Sequence, residues 1–449
     1  MQRDRKALWG WFFFDWASQP YNTLLLTFTF GPYMKTLLGD GSAAQAVWGY
    51  GIGATGVVIA LASPFLGAVA DRSGAKRRFL WLFSAMYVLG ASGLWWAIPQ
   101  DYSLLLILTS FAIGLIGMEF ATTFTNAYLP ELGPRSTLGR ISGAGWAFGY
   151  VGGLILLILM LTLFQASPET GHTLIGRAPI FGLDVGSRED TRIVGPLTAL
   201  WYAVFMIPFF LWVKDRPKPD ALTIRAAVAQ GWPNLRMTLG SLPKRPSLMA
   251  WLAASMLYRD ALNGVYVFGG LYAAGVLGWS ITQIGIFGIL SIITGAIFAW
   301  LGGRADDGFG SKPVIIACLL MLIAAVLGII SITPDHVFGL PVTAESAAPD
   351  IAFFVLGCVI GGAGGALQSA SRVMMVHQSP PERMTEYFGI YALSGKATAF
   401  IAPLSIGIVT SVTGQQSLGI TPVLALFVAG LVLLSWVRPT ATASAPSRS

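Results

Sequence analysis

The sequence predicts an all-α integral membrane protein of twelve transmembrane helices, arranged as two pseudo-symmetric six-helix halves. Three observations predict it. Of the 449 residues, 55% are hydrophobic and 11% charged, where soluble domains carry about 25% charged residues. Apolar runs recur along the whole chain, each near the ~20 residues an α-helix needs to cross ~30 Å of hydrocarbon. Lys and Arg concentrate on alternate loops, as the positive-inside rule requires of a polytopic chain.

The runs place spans at 8–32, 48–70, 79–98, 103–127, 141–164, 194–213, 248–277, 281–301, 313–332, 351–372, 386–411 and 416–437. Length and charged punctuation define them, because helices apolar nearly all round carry little periodic signal. The N-terminus, the loops after even-numbered spans and the C-terminal tail hold 22 basic residues, counting Arg372 at the end of span ten. The opposite loops hold Lys35, Arg177, Arg188 and Arg192, and the acids divide evenly. Both termini are therefore expected in the cytoplasm. The pI near 9.4 is explained by topology rather than by a nucleic-acid partner. Arg3, Arg5 and Lys6 precede an apolar run longer than a signal core, with no small-residue cleavage site, so no cleavable leader is expected. Cys318 and Cys358 lie inside apolar runs and suggest neither a disulfide nor a metal site.

Two segments interrupt the spans. Residues 214–247 carry seven basic residues and divide the chain into halves 1–213 and 248–449. Within them GWPNLRMTLGSL predicts a short surface helix with Pro233 at its first turn and Leu235, Leu239 and Leu242 on one face. Residues 165–193 form an unusually polar external loop, expected to be a solvated cap.

An internal repeat supports the division. LGAVADRSGAKRR (66–78) aligns with LGGRADDGFGSK (301–312), placing Asp71 over Asp306. FDWASQPY (14–21) aligns with RDALNGVY (259–266), placing Asp15 over Asp260, and PRSTLGRISG (134–143) aligns with PPERMTEYFG (380–389). Three ordered pairs at nearly constant offset describe a six-helix unit used twice.

The paired Gly-x-x-x-Asp-x-x-Gly-type loops resemble the signature of the major facilitator superfamily. More narrowly, DWASQPYNTLLLTFTFGPYM, NAYLPELGPRSTLGRISGAGWAFGYVGG, LYAAGVLGWS and YALSGKATAFIAPL resemble the vacuole-effluxer-like family, which contains fungal vacuolar amino-acid exporters and bacterial relatives. The first motif departs from the commoner Asp-Trp-Ala-Asn-Ser form, reading Ser18-Gln19-Pro20 after Ala17. The resemblance implies a cavity lined by spans one, four, seven and ten, with the halves rocking about it. It also implies that Asp71 and Asp306, with Arg72, Lys76 and Arg77, close the cytoplasmic side.

Ionisable residues inside spans are costly and mark functional candidates. Asp15, Glu119, Arg259, Asp260 and Lys396 qualify, with Arg372 near the end of span ten. Asp15 shares a helical face with Ser18, Gln19 and Asn22, and Asp260 shares one with Asn263. Arg259 is about 100° from Asp260 and is expected to reach an acid on another helix or to snorkel. Glu119 is the expected proton carrier, and Lys396 the counter-ion of an acid or of a substrate carboxylate. Each has a competing reading as a structural ion pair. Pro20 frees the Trp16 carbonyl from the helical ladder. Gly145, Gly149 and Gly153 in span five, and Gly357, Gly361 and Gly365 in span ten, predict close helix packing. His172, His336 and His377 are placed in loops.

The buried carboxylates point to a proton-coupled secondary active transporter with no cofactor, and the resemblance implies a small, amino-acid-like solute, a monomer and a bacterial cytoplasmic membrane. No GxxxxGK(S/T) loop suggests ATP, and no HExxH or nucleophile elbow suggests an enzyme. The alternatives are an exporter of amphiphilic drugs or lipids, favoured by the aromatics at 11–21, and a solute receptor without flux.

Overall fold

The computed structural model describes residues 4–167, 170–279, 281–343 and 346–438. Residues 1–3 and the tail from 439, which enter the charge asymmetry above, lie outside them. Cα packing separates two units. The first holds the described residues through Tyr128 together with Phe148–Gly231, and the second holds Leu129–Ala147 with those from Trp232 onward.

In the first unit, α1 (Arg5–Pro20) starts where the Asp4 carboxylate accepts the Lys6 and Ala7 amides at 3.0 and 3.3 Å, satisfying two donors that a helix start leaves open. Pro20 ends the regular ladder, and the chain widens into a π-helical stretch, Tyr21–Phe28. It resumes as α2 (Phe30–Leu38) and stops at Gly39, whose φ of +72° suits glycine. Then come α3 (Gly41–Ser73), α4 (Lys76–Gly93), α5 (Leu104–Asn126) and α6 (Leu138–Leu159), which belongs to the second unit as far as Ala147 and runs on from Phe148 in the first, as a π stretch to Phe164. The polar segment after it ends in α7 (Glu189–Arg192), followed by α8 (Val194–Phe205) and α9 (Ile207–Trp212). A linker helix, α10 (Ile224–Ser241), precedes the second unit.

That unit contains α11 (Pro246–Val276), α12 (Ile281–Phe309), α13 (Ser311–Ile330), α14 (Ala348–Gln378), α15 (Met384–Ala397), α16 (Ile401–Thr413), α17 (Gln416–Gly419) and α18 (Thr421–Leu434). Among the described residues, 10 helical stretches are long and apolar enough to cross a membrane. The first helix and α11 fall outside that set, and these carry Asp15–Asn22 and Arg259–Asn263. Their polar side chains lower the hydropathy that would otherwise include them.

Packing repeats between the units. In the first, α4 packs on α5 and α8, α3 on α5, and α1 on α8 and α9. In the second, α13 packs on α14 and α18, α12 on α14, and α11 on α18. The glycine rows explain the closest approaches. A Cβ at Gly361 would lie 2.3 Å from the Ser291 carbonyl oxygen, and one at Gly365 would lie 2.4 Å from that of Gly295. Both contacts are with backbone, which has no rotamer to yield.

The structure corrects several expectations. The linker helix begins nine residues before Pro233 and holds that proline in its interior. Leu235 and Leu242 are buried, whereas Leu239 is exposed. A three-stranded antiparallel ribbon, β1 (Ile332–Thr333), β2 (His336–Val337) and β3 (Leu340–Pro341), interrupts the all-α pattern after α13, and His336 lies in it. His377 sits in the last turn of α14.

The external loop is more than a solvated cap. Asp190, Thr191 and Arg192 are at most 2% exposed. The Asp190 carboxylate accepts the Ala166 amide at 3.0 Å and faces Arg188 at 3.8 Å. Arg192 donates to the Trp95 carbonyl at 2.6 Å and lies 4.7 Å over that ring. Its exposed part is stitched locally: donation from Ser187 and Gly186 holds the Asp184 carboxyl below the usual carboxylate range.

Gly361→Ala is expected to destabilise the chain by about 1–3 kcal/mol, the scale of overpacking in a close-packed interior. Gly407→Ala in α16, where nothing lies within 4 Å of the new Cβ, should be neutral or slightly stabilising. Thermal unfolding in detergent compares the two, and equal midpoints would count against the close approach of α12 and α14.

Candidate functional site

The intramembrane candidates divide between the units. In the first, Asp15 and Ser18 are buried while Gln19 and Asn22 are half-buried. The stripe meets α6. A Cβ at Gly149 would lie 3.0 Å from the Asp15 carbonyl oxygen, and one at Gly153 would lie 2.9 Å from Gln19 Cγ. Span five thus lies against the polar face of α1, with glycines where the two backbones meet. The carbonyl that Pro20 frees has a partner, because Trp201 Nε1 donates to the Trp16 oxygen at 3.2 Å. Glu119 lies half-buried on α5, and its backbone carbonyl accepts the Thr123 hydroxyl at 3.0 Å.

Of the α1 aromatics, Trp11, Phe12 and Phe14 are buried, Phe13 and Trp16 are half-buried, and Trp9 is exposed. Trp11 and Phe14 are at most 1% exposed, and Trp11 Nε1 donates to the Thr125 carbonyl at 2.9 Å. The Trp16 ring stacks on Trp201 with centroids 5.7 Å apart and lies 4.5 Å from that of Phe148.

In the second unit, Asp260 is 1% exposed. Span eleven breaks between α15 and α16, and Asp260 Oδ2 accepts the Ala402 amide at 2.9 Å, in the first turn of α16. The carboxylate therefore serves as a distant N-cap, where the helix dipole favours a negative charge. Its other oxygen, Oδ1, has no hydrogen-bond partner among the described residues. Asn263 is exposed, so the two ends of the expected polar face meet different surroundings. Among the described residues Arg259 is paired with no acid. It donates to the Tyr391 carbonyl at 3.1 Å and lies 4.2 Å over that ring, with its guanidinium against Gly395. Lys396, the next residue, is half-buried at the end of α15. Arg372 is 3% exposed. It donates to the Ser142 hydroxyl at 2.9 Å and carbonyl at 2.7 Å, 5.1 Å over the Trp146 ring.

The two motif loops are held differently. In the first unit, the loop at 71–77 is clasped by the start of the linker. Lys218 donates to the Asp71 carbonyl, and the Leu222 amide donates to that of Arg72 at 3.1 Å. The Arg77 amide donates to Asp215 at 3.1 Å, the Arg77 guanidinium bonds the Phe210 carbonyl, and the Tyr128 hydroxyl bonds Asp215. Lys76 lies 4.1 Å over the Tyr128 ring. In the second unit, Asp306 is 5% exposed and accepts the Ser311 hydroxyl at 2.9 Å, with its Cβ against Gly139. Its neighbour Asp307 makes the ion pair, with Arg140 at 2.9 Å, and accepts the Arg140 amide at 3.1 Å.

Sequence reasoning missed several of these partners. Asp215 was visible as an acid within a basic linker, and Asp307 as the second acid of the ADDG motif. Glu386, aligned by the repeat with Arg140, is 2% exposed and is held by both Arg383 Nε and Nη2 at 2.9 Å, with the Thr238 hydroxyl on Oε1. It pins α10 to the start of α15. Tyr391 and Ser142 carried no signal, because a carbonyl acceptor has no residue type.

Comparison with known proteins follows this geometry. The model of the family described as "Vacuole effluxer Atg22 like" matches residues 134–443, and that of the "Major Facilitator Superfamily" matches residues 2–157. The chain is 25% identical to an "Uncharacterized MFS-type transporter YxiO" of Bacillus subtilis, over 97% of this chain and 96% of the other. It is 25% identical to "Autophagy-related protein 22-1" of Aspergillus fumigatus over 62% of this chain, spanning 44% of the fungal protein's length. Among solved structures, the proton:xylose symporter XylE superposes with a TM-score of 0.69 at 13% identity, covering 96% of this chain and 94% of that one. The Escherichia coli fucose:proton symporter FucP superposes at 0.64 and 15% identity, covering 96% and 97%. At these identities the likeness is one of fold.

Glu386→Ala removes the acceptor for Arg383 and Thr238 and is expected to cost about 2–3 kcal/mol. Arg140, whose side chain is 52% exposed, should cost within about 1 kcal/mol when changed to Ala. Chemical unfolding in detergent measures both, and a larger loss for Arg140→Ala would reverse the assignment of which pair holds its helix end.

Proposed function

The chain belongs to the vacuole effluxer Atg22-like family of the major facilitator superfamily, and on that premise we propose that it is a proton-coupled secondary transporter of a small amino-acid-like solute. It works by alternating access across a bacterial cytoplasmic membrane, as a monomer with twelve spans, two six-helix halves and both termini in the cytoplasm. Asp15, Gln19, Asn22 and Glu119 in the first unit and Arg259, Asp260, Asn263, Arg372 and Lys396 in the second are the groups assigned to solute and proton. Asp71, Arg72, Lys76, Arg77 and Asp306 are assigned to cytoplasmic closure.

One observation carries the proton coupling. Asp260 lies 1% exposed in α11 with one oxygen committed to the α16 start and the other without a hydrogen-bond partner. A buried acid with one open oxygen can take a proton there and keep its cap on the other. Glu119, half-buried in α5, is the other acid assigned to the proton. Both charge signs within the spans suit a zwitterion, whose carboxylate and ammonium each need a partner once desolvated. The contacts of Phe13 and Trp16 with Phe148, Trp201 and Phe205 support packing roles for these aromatics.

Purified protein in liposomes with an imposed pH gradient tests this reading, by uptake of a labelled amino-acid panel. Gradient-driven uptake should fall at least about ten-fold in Glu119→Gln or Asp260→Asn, the scale of one lost transport interaction of about 1.4 kcal/mol, while solute exchange without a gradient survives. Absence of flux for every amino acid in folded protein would replace the solute class with amphiphiles. Unchanged gradient dependence in both variants would return these acids to structural roles.

A further inference from the structure

We propose that a groove on the first unit, between α4 and the α8–α9 pair, binds one anionic phospholipid of the cytoplasmic leaflet. The groove holds about 400 Å³ and is walled by Trp81, Ala85 and Val88 on one side and Ala203, Ile207 and Leu211 on the other. Trp81 stacks on Phe210 with centroids 3.9 Å apart, closing its lower wall. Ser84 and Tyr202 hydrogen-bond to each other at 3.0 Å, so the polar atoms of the lining are satisfied and the interior presents hydrocarbon. That surface suits an acyl chain.

Depth and charge identify the occupant. From Arg77 to Val88, eleven residues of α4 rise about 16 Å at ~1.5 Å each, close to half of a ~30 Å hydrocarbon core. The groove is one leaflet deep. Arg77 is the charged residue of its lining, half-buried at one end and spending one guanidinium nitrogen on the Phe210 carbonyl. An arginine has five N–H donors, enough for a phosphate besides. Arg78 and Lys214, next in the chain to the two walls at that end, are exposed. The acid nearby, Asp215, is engaged by the Tyr128 hydroxyl and the Arg77 amide. Apolar walls of leaflet depth under a basic rim match a lipid with a negative headgroup. The choice of leaflet rests on the cytoplasmic orientation proposed above, whereas binding itself does not.

Native mass spectrometry of the full chain in detergent, with phosphatidylglycerol or phosphatidylcholine added in equal amounts, tests the site whatever solute is carried. One phosphatidylglycerol should be retained, about ten-fold over phosphatidylcholine, on the scale that two or three basic contacts at a lipid surface supply. Ala203→Trp, which fills the groove, should remove it, whereas Leu105→Trp on the exposed face of α5 should not. Arg78→Gln with Lys214→Gln, both exposed at the surface, should bring the two lipids towards parity. Equal retention of both lipids by the unaltered chain, or an adduct that survives Ala203→Trp, would overturn the proposal. A dimer that Ala203→Trp dissolves would assign the groove to a second copy instead.

Discussion

Hydrocarbon offers no hydrogen bonds, so every backbone group released by an irregular helix must find its partner within the protein. Much of this structure answers that constraint. Pro20 releases the Trp16 carbonyl, and Trp201 supplies the indole N–H that meets it. The break at 398–400 opens the first turn of α16, and Asp260 reaches from α11 to accept an amide there. The π stretch after Pro20 takes the Thr27 hydroxyl onto the Asn22 carbonyl. In each case a side-chain donor or acceptor meets a backbone group that the irregular helix leaves open.

The repeat places these devices at equivalent positions with different chemistry. The first helix of each half approaches the fifth at a glycine: Asp15 at Gly149, and Arg259 at Gly395. Asp15 meets its glycine through its backbone and Cβ, whereas Arg259, which the repeat aligns with Phe14, meets Gly395 with its guanidinium. Opposite charges also occupy the aligned positions Arg140 and Glu386. Arg140 pairs with Asp307, while Glu386 holds Arg383 and Thr238. The two units need not be electrically alike.

Much of this was legible in the sequence because membrane helices are constrained by length and charge. The runs located the helices within a few residues, and the repeat aligned Asp15 with Asp260 before any contact was known. What stayed hidden depends on backbone acceptors and helix breaks. Arg259, for which an acid on another helix or snorkelling was expected, meets the Tyr391 carbonyl, an acceptor that every residue carries. The α15–α16 break lies in GKATAFIAP, where Pro403 marks the start of a helix rather than its end. The surface helix was misplaced because Pro233 was given the first-turn position favoured in soluble helices, when it sits within a longer one. The external loop concealed a buried Asp190 because polar composition alone does not distinguish a solvated turn from a satisfied one.

The account turns on Asp260 as the group that holds the broken span and keeps one oxygen open for a proton. Hydrogen exchange across residues 398–406 measures this most directly, in the unaltered chain, Asp260→Asn and Asp260→Ala. Asparagine retains an acceptor and alanine does not, so protection of the Ala402 segment should persist in the first variant. In the second it should fall by about ten-fold or more, the equivalent of a lost N-cap of about 1–2 kcal/mol. Equal protection in all three would show that the α16 start is held by something else, and the proposed link between the acid and the break would fail.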